Sequence, residues 1–293
     1  MTLQQERKPE TAAMKREIHA RQGLGAAAHV VQASGLEVHR IHVTQAALIF
    51  VDRGDKSVCT GKGALVRATP GQAIVLSSNQ SLDFTNAVQD GSYYEARWLL
   101  FDPVLLDDAY YCHLRQQQYG SEIRGRAAQA TCLLPQVSEG LREAYVRAAA
   151  GLDTASKIPV AVARQRMLEV MHWLLDEGVV LHHAPHDSST SLKVRGLLAG
   201  SLDDNWTGRR IAGELAMSEA SLRRKLATEG NTLTGLLLDA RMSTALTLLQ
   251  ATTQPVSQIA LSVGYESASR FAIRFRQRFG FAPTTVRGHE RAN

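Results

Sequence analysis

Long apolar runs and paired cysteines are both missing from this 293-residue chain. No stretch of eighteen consecutive apolar residues occurs, so no membrane-spanning helix is expected. The first twenty residues are polar and mixed in charge without an apolar core, which predicts a flexible tail over 1–20 and no secretory signal. The three cysteines, Cys59, Cys112 and Cys132, are far apart and form no CxxC pair. This pattern favours reduced thiols in a cytoplasmic protein over a disulfide framework or a structural zinc site.

Motifs for common catalytic chemistry are absent as well. The sequence contains no phosphate-binding loop, no GxSxG turn and no Cys/His nucleophile pair supported by its context. His39 and His42 come nearest to a metal site, but they lie three positions apart on a predicted strand and therefore point to opposite faces. A further histidine cluster, His182, His183 and His186, is interpreted as part of a solvated loop. We expect no catalytic residue, no metal and no cofactor.

Charge is distributed unevenly along the chain, whose formal net charge is +5. Residues 190–293 contain 14 Lys and Arg against 8 Asp and Glu, whereas the preceding 189 residues contain 19 basic and 20 acidic side chains. The basic excess therefore belongs to the last hundred residues. A basic domain beside a neutral one indicates a polyanionic partner for that end, although a solvated basic surface would give the same composition.

Strand patterns come first in the chain and helical patterns second. Over 28–101, short segments rich in β-branched, aromatic and aliphatic residues alternate with turn signals such as Pro70-Gly71. Many short strands with tight turns favour an antiparallel barrel or sandwich. Helical periodicity takes over across 102–181, and the strands and these helices are predicted to form one domain over 21–181.

A polar segment separates this domain from a second one. The sequence HHAPHDSST, at 182–190, contains proline and interrupts the helical periodicity, which predicts an interdomain linker. The helical patterns over 191–293 are not interrupted by any strand pattern. Two domains suit the length of the chain, and the second is predicted to be all-α.

Two segments of this second domain resemble each other. RRIAGELAMSEASLRRKLATEG begins at Arg209, and SQIALSVGYESASRFAIRFRQRFG begins at Ser257. In each, an Ile-Ala pair on a short helix precedes a tight turn, and a serine (Ser218 or Ser267) is placed to cap the next helix. That next helix has a large apolar residue at every fourth position and a polar, basic outer face. This is the pattern of a helix-turn-helix, whose second helix enters the major groove of DNA.

The second of these recognition helices combines an apolar stripe with a basic one. The apolar stripe, which is expected to face the core, consists of Phe271, Phe275 and Phe279. The basic stripe beside it, from which side chains can reach phosphates or a guanine, consists of Arg270, Arg274 and Arg278. Ser269 and Ile273 lie opposite the phenylalanines and are best placed to meet base edges. Contact with a thymine methyl would explain an outward Ile273, and an unseen packing contact is the alternative.

The segment LTGLLLDARMSTALTLLQ joins the two copies and is predicted to be one helix. At about 1.5 Å per residue it is roughly 27 Å long. Two recognition helices held that far apart can enter successive major grooves, which lie about 34 Å apart on one face of a duplex. The tandem pair therefore predicts double-stranded DNA as the partner.

The stretch from Trp206 to Arg287 resembles the DNA-binding domain of AraC/XylS-family transcriptional regulators. The resemblance is carried by IAGELAMSEASLRRKL, LLLDARMSTALTLL, VSQIALSVGYES and RFAIRFRQRFGFAPTTVR. The last of these contains the family's FG-x-x-P-x-x-x-R pattern as Phe279-Gly280, Pro283 and Arg287.

The resemblance implies base contacts on the outer face of each recognition helix. Carried over to the first copy, the candidates are Ala220, Arg223 and Arg224, with Lys225 beside them. In the second copy, the candidates are Ala268, Ser269, Arg270 and Ile273, with Arg274 beside them. Family members commonly have Arg at the position of Ile273, so the second copy is expected to read fewer bases and the Arg pair of the first to supply more of the specificity. That Arg pair and Lys225 could instead neutralise phosphates.

The resemblance also implies a plan for the whole chain. Family members often carry a cupin-like antiparallel β-barrel followed by dimerisation helices, so we expect an α+β protein with the barrel over 28–101, a helical extension over 102–181 and a double helix-turn-helix domain over 191–293. The implied function is promoter binding by a transcriptional activator that works with RNA polymerase. Its N-terminal domain is expected to bind a small effector, to form a homodimer, or both. Two alternatives stay open, a cupin-type metalloenzyme with an accessory DNA-binding domain and a non-specific nucleoid-binding protein.

Overall fold

The computed structural model describes residues 16–60, 65–88, 92–120, 131–181, 189–199 and 201–287. Most of the expected tail therefore lies outside the described residues, as do most of the expected linker and the histidine cluster within it. Residues 17–20 belong to a strand rather than to a tail, because β1 (Glu17–Arg21) pairs antiparallel with β2 (Gly25–Gln32). The polar composition of β1 gave no sign of this pairing.

Antiparallel strands build the N-terminal half. After β1 and β2 they are β3 (Leu36–Val43), β4 (Ala46–Arg53), β5 (Asp55–Thr60), β6 (Leu65–Ala68), β7 (Ala73–Leu76), β8 (Gln80–Ala87), β9 (Tyr94–Phe101) and β10 (Thr131–Leu134). One six-stranded sheet has the order β1-β2-β9-β4-β7-β10, and one four-stranded sheet has the order β3-β8-β5-β6. The turn predicted at Pro70-Gly71 is present between β6 and β7, since Gly71 has a φ of 90° and Gln72 N donates to Thr69 O at 3.0 Å.

The prediction that the strands close into a cupin-like barrel is wrong. Among the described residues, no backbone ladder joins a strand of one sheet to a strand of the other. The sheets stack instead, with Val30 of β2, Val58 of β5 and Leu82 of β8 in one apolar cluster. A barrel and a sandwich both bury one face of every strand, so the alternation of apolar residues in the sequence is the same for both. The difference lies in the pairing of edge strands, which periodicity does not encode.

Helices cover the other face of the six-stranded sheet. They follow a 3₁₀ turn and are α1 (Ala109–Tyr119), α2 (Glu139–Leu152) and α3 (Val160–Asp176). Phe50 of β4 meets Tyr145 of α2 edge to face, with ring centroids 5.1 Å apart. Met167 and Met171 of α3 are fully buried in the same cluster. The N-terminal half is therefore two sheets and a helical layer, and the α+β class is confirmed.

The described part of the C-terminal half contains helices and no strand, as predicted. They are α4 (Thr190–Leu198), α5 (Gly208–Glu214), α6 (Glu219–Thr228), α7 (Leu233–Ala251), α8 (Val256–Ser262) and α9 (Ala268–Phe279). The long helix α7 is the central element, because Leu236 packs with α5 and α6 while Met242, Leu246 and Leu249 pack with α8 and α9. Within the described ranges, no helix has both the length and the apolar character needed to cross a membrane.

The two halves contact each other along β2 and β3. Leu36 and Val38 of β3 are buried in the same apolar cluster as Phe271 and Phe275 of α9. At the end of α7, the Gln250 side chain donates a hydrogen bond to Gln32 Oε1 of β2 at 3.2 Å. The helical half is thus seated on the N-terminal half, an arrangement that the sequence pattern did not predict.

Candidate nucleic-acid interface

The two segments that resemble each other in sequence also fold alike. In each copy, the backbone N–H that follows the turn residue donates to the carbonyl of the Ile-Ala pair's alanine, at 2.9 Å in both cases. The turn residue itself has a left-handed backbone, with φ of 51° at Ala216 and 83° at Gly264. The pairs α5–α6 and α8–α9 are therefore two helix-turn-helix units of the same design.

Serine caps fix the start of each second helix. Ser218 Oγ accepts from Ser221 N at 3.2 Å at the start of α6, and Ser267 Oγ accepts from Arg270 N at 3.4 Å at the start of α9. Both caps are where the sequence predicts them, and each satisfies one of the free N–H groups of a helix N-terminus. The caps leave the first turns of α6 and α9 ordered and outward-facing.

Large apolar side chains hold the inner faces of these helices. Leu222 and Leu226 of α6 are almost fully buried, as are Phe271, Phe275 and Phe279 of α9. The rings of Phe275 and Phe279 meet edge to face, with centroids 4.7 Å apart. The prediction that the phenylalanine stripe faces the core is confirmed.

All nine residues predicted to face DNA are exposed. They are Ala220, Arg223, Arg224 and Lys225 on α6, and Ala268, Ser269, Arg270, Ile273 and Arg274 on α9. Ile273 is 59% exposed, so it does not serve as a packing residue within this chain. No acidic residue occurs in α9, so its outer face is basic without an internal counter-charge.

Arg278 departs from the prediction. Its side chain is only 12% exposed, and Nε donates to Asp239 Oδ1 of α7 at 3.0 Å. Its other nitrogens donate to two backbone carbonyls of β3, His39 O at 2.8 Å and Arg40 O at 2.6 Å. The helical spacing places Arg278 in the basic stripe, but β3 covers that end of α9 and its carbonyls bind the guanidinium.

Sequence reasoning missed Arg209 as part of this surface. Arg209 is at the start of α5, its side chain is 92% exposed, and its Nε lies 3.6 Å from Glu219 Oε1 in the first turn of α6. Its neighbour Arg210 is occupied, since it pairs with Asp204 at 2.7 Å and lies over the Trp206 ring. The signal was the basic pair that directly precedes Ile-Ala in the first copy.

The two histidines considered as metal ligands have other surroundings. His39 is 60% exposed and lies 3.4 Å from a carboxylate oxygen of both Glu37 and Asp83. His42 Nδ1 lies 3.3 Å from Ser81 Oγ. In the parts of the chain that the structure describes, no group of three or more His, Cys, Asp or Glu is arranged to hold a metal ion. The three cysteines, all described, form no disulfide.

Comparison with known proteins identifies this half of the chain. A family model described as a helix-turn-helix domain matches residues 211–289. The transcriptional regulator SirC of Salmonella typhimurium is 37% identical over 95 residues, which are 32% of this chain and 32% of SirC. The regulator GadX of Escherichia coli is 37% identical over 92 residues, which are 31% of this chain and 34% of GadX.

Residues 211–289 are thus similar to the helix-turn-helix domain of AraC/XylS-family transcriptional regulators. The matches of the chain to the curated relatives span about a third of their length and about a third of its own. The AraC/XylS relatives are DNA-binding regulators of transcription and not enzymes, in agreement with the expectation from the sequence.

A likeness in fold extends over most of the chain. A crystal structure of apo ToxT from Vibrio cholerae superposes with a TM-score of 0.62 at 14% identity, covering 91% of this chain and 97% of ToxT. A ToxT structure with a bound unsaturated fatty acid superposes with a TM-score of 0.56 at 15% identity, covering 93% of this chain and 100% of ToxT. At such identities the likeness establishes the fold alone.

Proposed function

We propose that this protein is a sequence-specific transcriptional regulator that inserts α6 and α9 into successive major grooves of promoter DNA. The observation that carries the proposal is the duplication, in which the same turn, cap and apolar anchor present an exposed basic face twice. The two units are joined by one helix of 19 residues, which corresponds to about 28 Å. Successive major grooves on one face of a duplex lie about 34 Å apart, so a single molecule matches an asymmetric site of about two turns.

Base reading is assigned mainly to α6. Arg223 and Arg224 are exposed there, and a guanidinium can donate two hydrogen bonds to guanine O6 and N7. On α9 the readers are Ser269, through its hydroxyl, and Ile273, through contact with a thymine methyl. Ile273 is suited to this because it is exposed and packs on no core. The first copy then contributes more hydrogen-bonded specificity than the second.

Small and basic residues complete each contact surface. Ala220 and Ala268 lie in the first turns of α6 and α9, where the absence of a long side chain lets the helix backbone approach the groove. Lys225, Arg270 and Arg274 are assigned to phosphates. Phosphate contacts release condensed counterions, so each one adds about one unit to the slope of log affinity against log salt.

The N-terminal half is proposed to control DNA binding through a small effector and through homodimer formation. ToxT, which shares the fold, has been crystallised with an unsaturated fatty acid, and a long-chain carboxylate is therefore the first effector to test. A ligand at one hundred times its Kd stabilises the folded state by about 2.7 kcal/mol, which a thermal shift would register. The protein is proposed to act as an activator that contacts RNA polymerase at the promoter.

Arg223→Ala tests the reading of DNA sequence. The preferred site is first selected from a random DNA library, and binding to that site and to random DNA is then measured at one fixed salt concentration. The loss of a bidentate base contact costs about 1–3 kcal/mol, so affinity for the selected site should fall about 5- to 150-fold with little change on random DNA. Arg274→Ala is the matched control and should weaken both by a similar factor.

An equal loss on both DNAs for Arg223→Ala would reduce this residue to a phosphate contact. The same two affinities of the wild-type protein distinguish a sequence-specific regulator from a non-specific nucleoid-binding protein. A nucleoid-binding protein would not prefer the selected site over random DNA under these conditions. A cupin-type metalloenzyme has no support from the described residues, which offer no suitable group of metal ligands.

A further inference from the structure

The contact between the two halves is built around the edge strand β3. This strand lies at one end of the four-stranded sheet and, within the described ranges, pairs with β8 alone. Its other side faces the DNA-binding half, to which it contributes Leu36 and Val38. The backbone of β3 also shifts register between Val38 and Ile41, and Arg40 has a left-handed φ of 50°. This bulge turns the carbonyls of residues 39 and 40 toward Arg278.

A small group of charged side chains lies at this contact. Arg278 of α9 and Arg195 of α4 are 12% and 11% exposed, and both pair with Asp239 of α7, at 3.0 Å and 3.9 Å. Burial lowers the pKa of Arg195, and Asp239 partly opposes that effect. Two largely buried guanidinium groups therefore share one carboxylate.

His42 of β3 lies close enough to this group for the charges of Arg195 and Asp239 to act on it. Its Nδ1 lies 3.3 Å from Ser81 Oγ of β8, whereas its buried Nε2 has no hydrogen-bond partner among the described residues. Burial, and to a smaller extent the charge of Arg195, lower the pKa of His42 to about 4 against the opposing effect of Asp239. The docked arrangement thus suits a neutral imidazole. An imidazolium would carry a proton on Nε2, and no hydrogen-bond acceptor for it is present among the described residues.

We propose that protonation of His42 releases the DNA-binding half from β3, so that docking of the two halves is a pH-sensitive switch. A protonated His42 in the docked state would add a cation near Arg195, and its buried Nε2–H would have no acceptor among the described residues. In the undocked state, His42 lies on a solvated strand edge and regains an ordinary pKa. Undocking also frees Arg278 from the β3 carbonyls and gives α9 a further basic side chain for DNA.

The remaining titratable groups near β3 do not replace His42 in this role. His39 is on the same strand but is 60% exposed and lies between Glu37 and Asp83. The backbone N–H of Arg40 donates to Asp83 and lowers the pKa of this carboxyl below its usual value, despite a small opposing effect of burial. Asp83 therefore stays ionised over the pH range in which His42 would change.

The sign and size of the effect follow from linkage. The docked state binds fewer protons than the undocked state between the ordinary histidine pKa of 6.5 and the docked value of about 4, so acid favours undocking. Between pH 7.5 and pH 5.5 the ratio of undocked to docked protein should rise about tenfold. This shift does not depend on which effector the N-terminal half binds.

Hydrogen exchange of the full chain measures the docking directly. The reporter amides are those on the outer edge of β3, and their rates are corrected for the intrinsic effect of pH. In the wild-type protein, their protection should fall about tenfold from pH 7.5 to pH 5.5. His39→Gln, the matched control on the same strand, should show the same fall. His42→Gln should keep its protection within about twofold, because it removes the titrating group.

Two results would overturn the proposal, namely a wild-type protein whose protection does not fall and a His42→Gln variant that falls as far as the wild type. If His42→Gln does not fold, a titration of the His42 imidazole in the wild-type protein by NMR decides instead. Titration below pH 5 in the docked protein supports the switch, whereas titration near pH 6.5 without undocking contradicts it. Near-UV circular dichroism at pH 5.5 checks that both halves stay folded.

Discussion

The two turns of the helix-turn-helix units should respond in opposite ways to reciprocal substitutions. Both turn residues have left-handed backbones, but one is alanine and the other is glycine. A side chain at Gly264 would place its Cβ 2.5 Å from Arg241 Nη2 and 2.6 Å from Leu202 O. Ala216, by contrast, is exposed. The same change in chemistry is therefore tested in one crowded turn and one open turn.

The magnitudes follow from these surroundings. Gly264→Ala adds the left-handed cost of an L-residue, about 1 kcal/mol. It also displaces the hydrogen bond that Arg241 Nε donates to Leu202 O at 3.1 Å, whose loss costs about 1–2 kcal/mol. We expect a total destabilisation of about 2–3 kcal/mol. Ala216→Gly removes the left-handed cost but raises the entropy of the unfolded chain, so it should stabilise by about 0.5 kcal/mol.

Denaturant unfolding, followed by far-UV circular dichroism, measures both changes. The clean comparison is between the two variants, because they alter equivalent positions of the duplicated unit. If Gly264→Ala were as stable as the wild type, the close contact of the second turn with α7 would be wrong. If Ala216→Gly were destabilised by about 1 kcal/mol or more, the left-handed assignment of Ala216 would be wrong.

Two further substitutions test a half-buried carboxylate in the C-terminal half and a buried lysine in the N-terminal half. Glu229→Gln should lower stability by about 1–2 kcal/mol near neutral pH, because the carboxylate caps α4 by accepting from the backbone N–H of Thr190 and Ser191 at 2.7 Å and 2.8 Å. These bonds lower the pKa of Glu229 against the opposing effect of burial. The stabilisation that Glu229 provides is therefore present above the ordinary pKa of a glutamate and is lost as the pH falls. The thermal unfolding temperatures of the variant and the wild type should converge in acid. Lys56→Met should raise stability at neutral pH by about 1–3 kcal/mol, because it removes a charge that is costly to bury. Burial lowers the pKa of Lys56 to about 7. Among the described residues, the ammonium donates a hydrogen bond to Asn86 Oδ1 alone. In the wild type this lysine makes the free energy of unfolding rise with pH between about 7 and 10.5. Denaturant unfolding at several pH values measures this dependence. If the variant showed the same dependence on pH as the wild type, the lowered pKa of Lys56 would be wrong.

Much of the DNA-binding half could be predicted from the sequence because its signals are local. The Ile-Ala pairs, the capping serines and the four-residue spacing of Phe271, Phe275 and Phe279 are each set within one or two helical turns. The outward position of Ile273 follows from the same spacing. These features depend on helix geometry, which a short segment of sequence fixes by itself.

The features that the sequence did not reveal depend on contacts between distant segments. The open edges of the two sheets depend on which strands pair, and β10 joins β7 from a position far along the chain. Arg278 looks like its neighbours in the basic stripe, and nothing local shows that β3 supplies two carbonyls to it. The buried environment of His42 has the same origin, since Arg195 and Asp239 come from the other half of the chain.

The most direct test of the central claim is a methylation-protection footprint of the wild-type protein on its selected site. We expect two protected patches in the major groove, on one face of the duplex and about one helical turn apart, from a single bound protein molecule. Ala substitution of Arg223 should remove guanine protection in one patch alone. One patch, or two patches on opposite faces of the duplex, would contradict the assignment of α6 and α9 as paired recognition helices.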